Sequence, residues 1–104
     1  MKLKTFKMLD ISTGHIEKHD VDMLETHGCA GLHAGILSDT LPFSVKEYEE
    51  GFIINVSCID PVKDCGLFSH HFQRIVRLAK EECMDYIMFD RDGEVYPDLP
   101  TFDW

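Results

Sequence analysis

The order of patterned segments predicts an α+β fold: a β-α-β-β-α-β sandwich of the ferredoxin-like kind, an antiparallel sheet with two helices on one face. Three observations carry the prediction. Phe52 to Val56 and Tyr86 to Phe89 are short apolar runs bounded by turn residues. Leu67 to Met84 repeats apolar residues at helical spacing. Glu49-Glu50-Gly51 separates two strand-like runs and reads as a hairpin turn. With 104 residues, 44% of them apolar, the chain has material for one core and is too short for two. Residues 1–104 therefore read as a single domain, with 97–104 as an extended tail.

The first strand is expected over Leu3 to Ile11, carrying Phe6, Met8, Leu9 and Ile11 and ending at Ser12-Thr13-Gly14. A helix follows, capped by Thr13 or Asp20, with Ile16, Met23, Leu24 and His27 on one face and Gly28 as its stop. Cys29 to Pro42 holds either a short extra strand over Leu32 to Leu37 or a functional segment, since structureless loops of that length are uncommon. Phe43 to Tyr48 and Phe52 to Val56 form the hairpin. In the second helix Phe68, Phe72, Ile75, Val76, Ala79 and Cys83 make the buried stripe, and Arg74, Arg77, Lys80 and Glu81 the wet face. The strand Tyr86 to Phe89 is stopped by Asp90-Arg91-Asp92-Gly93, a turn closed by Asp side chains. The tail is expected to pack Leu99, Phe102 and Trp104 on the domain.

Composition removes several classes of function. No run of ~18 apolar residues spans a membrane, and the lysine-bearing start lacks the apolar stretch of a signal peptide. The expected compartment is the cytoplasm, where the four cysteines read as thiols or metal ligands in preference to disulfides. A net charge of −9 repels phosphate backbones and disfavours direct binding to nucleic acid.

The ferredoxin-like path adds a prediction about side chains. If the fourth strand descends, the ends of helix one, strand three and strand four meet the start of helix two at one edge. That places His27, Cys29, Cys58, Cys65, His70, His71, Asp90 and Asp92 together, with His33 near them. Thiolate and imidazole suit tetrahedral zinc. The expected ligands are Cys29, His33, Cys58 and Cys65, with His27, His70 and His71 as substitutes. The opposing expectation is that Cys58 and Cys83 are small buried hydrophobes and the histidines ordinary surface groups.

Other constellations resolve more simply. Asp90-Arg91-Asp92 invites comparison with the aspartates of haloacid-dehalogenase-type phosphatases, but too little chain follows it to complete such a sheet. Ser12, Thr13 and His15 stand where a nucleophile or phosphate loop would, and a helix cap explains them without further chemistry. No catalytic residues are assigned. The acidic residues are dispersed, as on a soluble surface; their sharper reading is phosphate mimicry, with Glu47, Glu49, Glu81, Glu82 and Asp85 as one partner-binding stripe.

At STGHI and at MDYIMFDRDGEVYPDLPTFDW the chain resembles a family of short uncharacterised proteins carried on bacterial plasmids, integrative elements and phages. The resemblance covers both ends and leaves the Cys/His-rich middle unmatched. It implies a mobile-element neighbourhood, in which small acidic proteins are often anti-restriction or anti-CRISPR factors. The expected function is therefore non-enzymatic: binding and inhibition of a nucleic-acid-handling defence protein of the bacterial host through its basic surface, with Phe43, Phe52 and Trp104 supplying apolar contacts and zinc bracing the 29–42 loop. Two alternatives are a zinc-dependent hydrolase with Asp90 as base and an assembly module of an operon-encoded complex.

Overall fold

The computed structural model describes residues 1–25, 45–57, 59–61 and 64–103. Four strands and two helices follow in the expected order: β1 (Met8–Ser12), α1 (Lys18–Met23), β2 (Val45–Tyr48), β3 (Gly51–Asn55), α2 (His70–Glu81) and β4 (Tyr86–Asp90). A single 3-10 turn, Thr13–His15, joins β1 to α1.

The class is α+β, and the sheet is mixed. Its order is β1-β4-β3-β2. β2–β3 and β3–β4 are antiparallel, but β1 runs parallel to β4, from Met8 opposite Tyr86 to Ser12 opposite Asp90. A ferredoxin-like sheet would be antiparallel throughout and would place β1 in the interior. Burial explains the difference. Ile87 and Phe89 of β4 are fully buried, so this strand takes the centre, where both edges are paired. β1 carries an exposed Asp10 and a Met8 that stays 43% exposed, which suits an edge.

The direction of β4 also depends on the segment after β3. Residues 56–69 bury Val56, Ile59, Cys65 and Phe68 in the core, and Lys80 Nζ donates to the Val56 and Ile59 carbonyls. Anchored in this way, the segment carries the chain back across the domain before α2 starts. The helix then descends, and β4 rises beside β1. The expected path has no such return between the third strand and the second helix.

α2 covers the sheet with Phe72, Ile75, Val76 and Ala79. Phe72 stacks between Phe68 at 4.1 Å and Phe89 at 5.6 Å, centroid to centroid. Ser69 caps the helix, its Oγ accepting from Phe72 N at 3.1 Å. In the hairpin, a Cβ on Gly51 would collide with the Phe89 carbonyl oxygen on the neighbouring strand, so glycine is required there.

Some boundaries move. The first strand begins at Met8, not Leu3, and Leu3 and Phe6 are exposed. Neither Thr13 nor Asp20 is an N-cap. Ser12 caps the 3-10 turn by accepting from Gly14 N, and Glu17 precedes α1, with its N–H bound by the Asp20 carboxylate inside the helix. The Gly28 stop, the 29–42 segment and Phe43 lie outside the described residues.

Candidate functional site

The parallel strands β1 and β4 end together, at Ser12 and Asp90, and three stretches of chain meet beyond them. The 3-10 turn follows β1, the Asp90–Gly93 turn follows β4, and the tail returns to pair Phe102 N with the Gly14 carbonyl at 2.7 Å. Ser12, Thr13, Gly14, Arg91, Phe102 and Asp103 line a shallow polar depression of about 300 Å³ there. The carboxyl ends of parallel strands are where open sheets commonly place ligands.

Each piece is held by its own chemistry. Asp90 Oδ1 accepts from Asp92 N at 2.8 Å, and Gly93 N donates to the Asp90 carbonyl at 2.9 Å, which makes the Asx-type turn expected from the sequence. Tyr48 on β2 reaches across the Gly51 position and donates its hydroxyl to Asp90 Oδ2 at 2.6 Å. Asp90 is held below the usual carboxylate range by that hydroxyl first and by Asp92 N–H second. The Tyr48 phenol is pushed well above its usual value by burial, then by the hydrogen bond and charge of Asp90, with Glu50 and Asp10 adding to the effect. Tyr96 is raised in the same sense by burial, Glu94 and Asp10. Two tyrosines on different segments therefore sense the same concentration of negative charge.

That charge is local. Asp10, Glu49, Glu50, Asp90, Asp92, Glu94 and Asp103 all lie on the segments that meet at this end, and Arg91 is the sole base within 47–50, 90–94 and 103. At the opposite end, where β4 begins, lysines interleave with the acids. Lys7 Nζ donates to the Glu82 carbonyl and Lys7 N to the Asp85 carboxylate, and Lys80 sits beside Asp85 around a second depression. The expected stripe of Glu47, Glu49, Glu81, Glu82 and Asp85 is thus divided between two ends of the sheet. Glu47 and Glu49 stand at the end that holds Asp90, Asp92 and Glu94. Trp104 lies outside the described residues.

Of the expected metal ligands and their substitutes, Cys65, His70 and His71 lie among the described residues. His70 and His71 open α2 at the end where α1 starts: His71 Nε2 is 3.9 Å from Glu17, and its ring meets Phe102 edge-on at 4.8 Å. Asp90 and Asp92 lie at this end as well, whereas β3 finishes at the other. The ascending β4 is what parts them. Cys65 is a core residue whose thiol burial pushes up to about 12, with Asp64 and Asp60 adding to the rise, so it stands as a neutral thiol at pH 7. His27, Cys29, His33 and Cys58 lie outside the described residues. Among the described residues no three His, Cys, Asp or Glu side chains group as a metal site would need.

Two residues read from the sequence only as cap or loop residues prove central to the architecture. His15 is 1% exposed; its Nε2 accepts from Tyr96 N at 2.9 Å, and Nδ1 meets the Pro100 carbonyl at 2.8 Å. Those partners make it the neutral tautomer with its proton on Nδ1. Asp20, fully buried, accepts from Glu17 N, Ser69 N and Ser69 Oγ at 2.6–2.9 Å and so joins the starts of both helices. The signal for His15 was present in the co-occurrence of STGHI with the tail motif, which it physically connects. Asp20 was legible as a capping residue by type, while its bonds to Ser69, 49 residues away, left no signal in spacing.

The model of a family described as "Family of unknown function (DUF5983) C-terminal domain" matches residues 8–104. No curated protein and no solved structure matches the chain.

Proposed function

We propose, from the premise that the chain belongs to the DUF5983 family, that it is a binding protein whose acidic end docks on the basic surface of a nucleic-acid-handling protein and blocks it. The carrying observation is the segregation of charge. One end of the sheet gathers seven carboxylates from four segments, with Arg91 among them, while the other mixes acids with Lys7 and Lys80. A low-dielectric surface with one sign of charge steers a basic partner and competes with phosphate for the same groove. Because the acids sit on strand ends and closed turns, they are positioned before contact, which lowers the ordering cost of binding.

The finer reading is that the protein is carried on a mobile element and opposes a host defence system of the CRISPR or restriction type. Support for it comes from the charge, the size and the resemblance of both chain ends. The test is phage plating on hosts that carry such a system, with and without the protein. Plating efficiency should rise by at least about 100-fold, and the gain should vanish when Glu49, Asp92 and Glu94 are reversed to lysine. Unchanged plating across a panel of both system types contradicts the finer reading.

A further inference from the structure

We propose that residues 96–103 are an acid-released strap, latched by His15. Four hydrogen bonds tie the strap to the start of the chain. Tyr96 N–H donates to His15 Nε2, His15 Nδ1–H donates to the Pro100 carbonyl, Phe102 N–H donates to the Gly14 carbonyl, and the Tyr96 hydroxyl donates to the Asp10 carbonyl. Two of the four depend on one buried neutral imidazole. A proton added at Nε2 removes the acceptor for Tyr96, sets two N–H groups against each other and places a cation in a site with almost no solvent. The sign follows directly: the latch is intact where the imidazole is neutral and is lost as pH falls.

The surroundings offer the cation little compensation. On the strap, Tyr96 presents its ring at 6.1 Å, while Asp98 and Asp103 are exposed. Beside β1, Asp10 and Glu94 face the Tyr96 phenol. After the 3-10 turn, Glu17 faces His71 of α2, not His15. No carboxylate among the described hydrogen bonds reaches the His15 ring. His71 touches the strap through Phe102, and its own protonation would strengthen the approach to Glu17, a contact that does not hold the strap.

Release has a structural consequence. Tyr96 and Leu99 help to line an apolar cavity of about 120 Å³ between β1 and α2, with Leu9, Ile11, Ile75 and Leu78 among its other walls. Freeing the strap opens that cavity along its length while the paired strands stay in place. The device adds a conformational control, and because the strap carries Phe102 and Asp103 its release also removes Asp103 from the acidic end.

Amide exchange on the full chain tests it, followed from roughly pH 7.5 down to the acid limit of the folded protein, after correction for intrinsic rates. Protection at Tyr96 and Phe102 should fall at least about tenfold while Ile87 and Phe89 keep theirs. Constant protection at Tyr96 overturns the proposal, and so does its loss together with Phe89, which reports global unfolding. His15→Gln supplies an acceptor and a donor that do not titrate, so the step should disappear; its persistence there would overturn the latch. His71→Gln should leave the step in place, and its disappearance would reassign the titration to His71. Should His15→Gln not fold, the wild-type imidazole nitrogen spectrum decides: Nδ1 protonated and Nε2 bare at neutral pH supports the latch, and the reverse tautomer overturns it.

Discussion

Asp90 shows how one side chain can organise an end of the molecule. It closes its own turn, accepts the Tyr48 hydroxyl and carries a lowered carboxyl ionisation. A carboxylate lowered in the folded state adds stability above its ordinary value near ~3.9 and loses it as pH falls through the lowered one. Replacing Tyr48 with Phe removes the first cause of that lowering, so the Asp90 titration followed by carboxyl-carbon NMR should move upward; an unmoved midpoint would show that the hydroxyl is not what holds it. Cys65 behaves in the opposite sense. Its buried thiol, raised to about 12, should resist alkylation in native protein at neutral pH while the exposed Cys83 reacts, as peptide mass mapping would show. Equal labelling of the two would contradict the burial of Cys65. Asp20 is a third case. Asp20→Ala leaves Ser69 N–H and Glu17 N–H without their acceptor in the interior and should cost about 1–3 kcal/mol in denaturant unfolding.

Among the elements, α2 contributes most to the core through Phe72, which is fully buried against two other rings. Phe72→Ala should cost about 3–5 kcal/mol by chemical denaturation, and a loss below about 1 kcal/mol would mean the aromatic stack is not where the stability resides. This helix was legible in the sequence because its apolar spacing is regular and Ser69 is a strong cap. β3 and β4 were legible because their inward residues are large and apolar. The pairing of β1 with β4 was not. Strand direction here is set by the path of residues 56–69, whose anchors Val56, Ile59, Cys65 and Phe68 are spaced too irregularly to show a period. Similarly, Leu3 and Phe6 look like strand residues by type, but among the described residues no strand pairs with them below Met8 and they lie outside the sheet.

At the level of the whole molecule, direction decides where the charges gather. With β4 rising beside β1, the Asp90–Glu94 stretch joins Asp10, Glu49 and Glu50; a descending β4 would have sent it to the opposite end. The net charge of −9 was plain from composition, yet its segregation depends on that one topological step, and the partner-binding residues inferred from spacing were accordingly divided between the ends. The tail brings a second whole-chain dependence, because residues near position 15 and beyond position 96 hold one another through His15. The measurement that bears most directly on the acidic end compares two double variants with the same change in net charge, Glu49→Lys with Asp92→Lys and Glu81→Lys with Glu82→Lys, in inhibition of a defence nuclease that the wild-type protein blocks. The account predicts that the first pair abolishes inhibition while the second retains it, and that wild-type inhibition weakens as salt rises. Equal loss from both pairs would contradict it, because charge alone, without the end of the sheet that presents it, would then suffice.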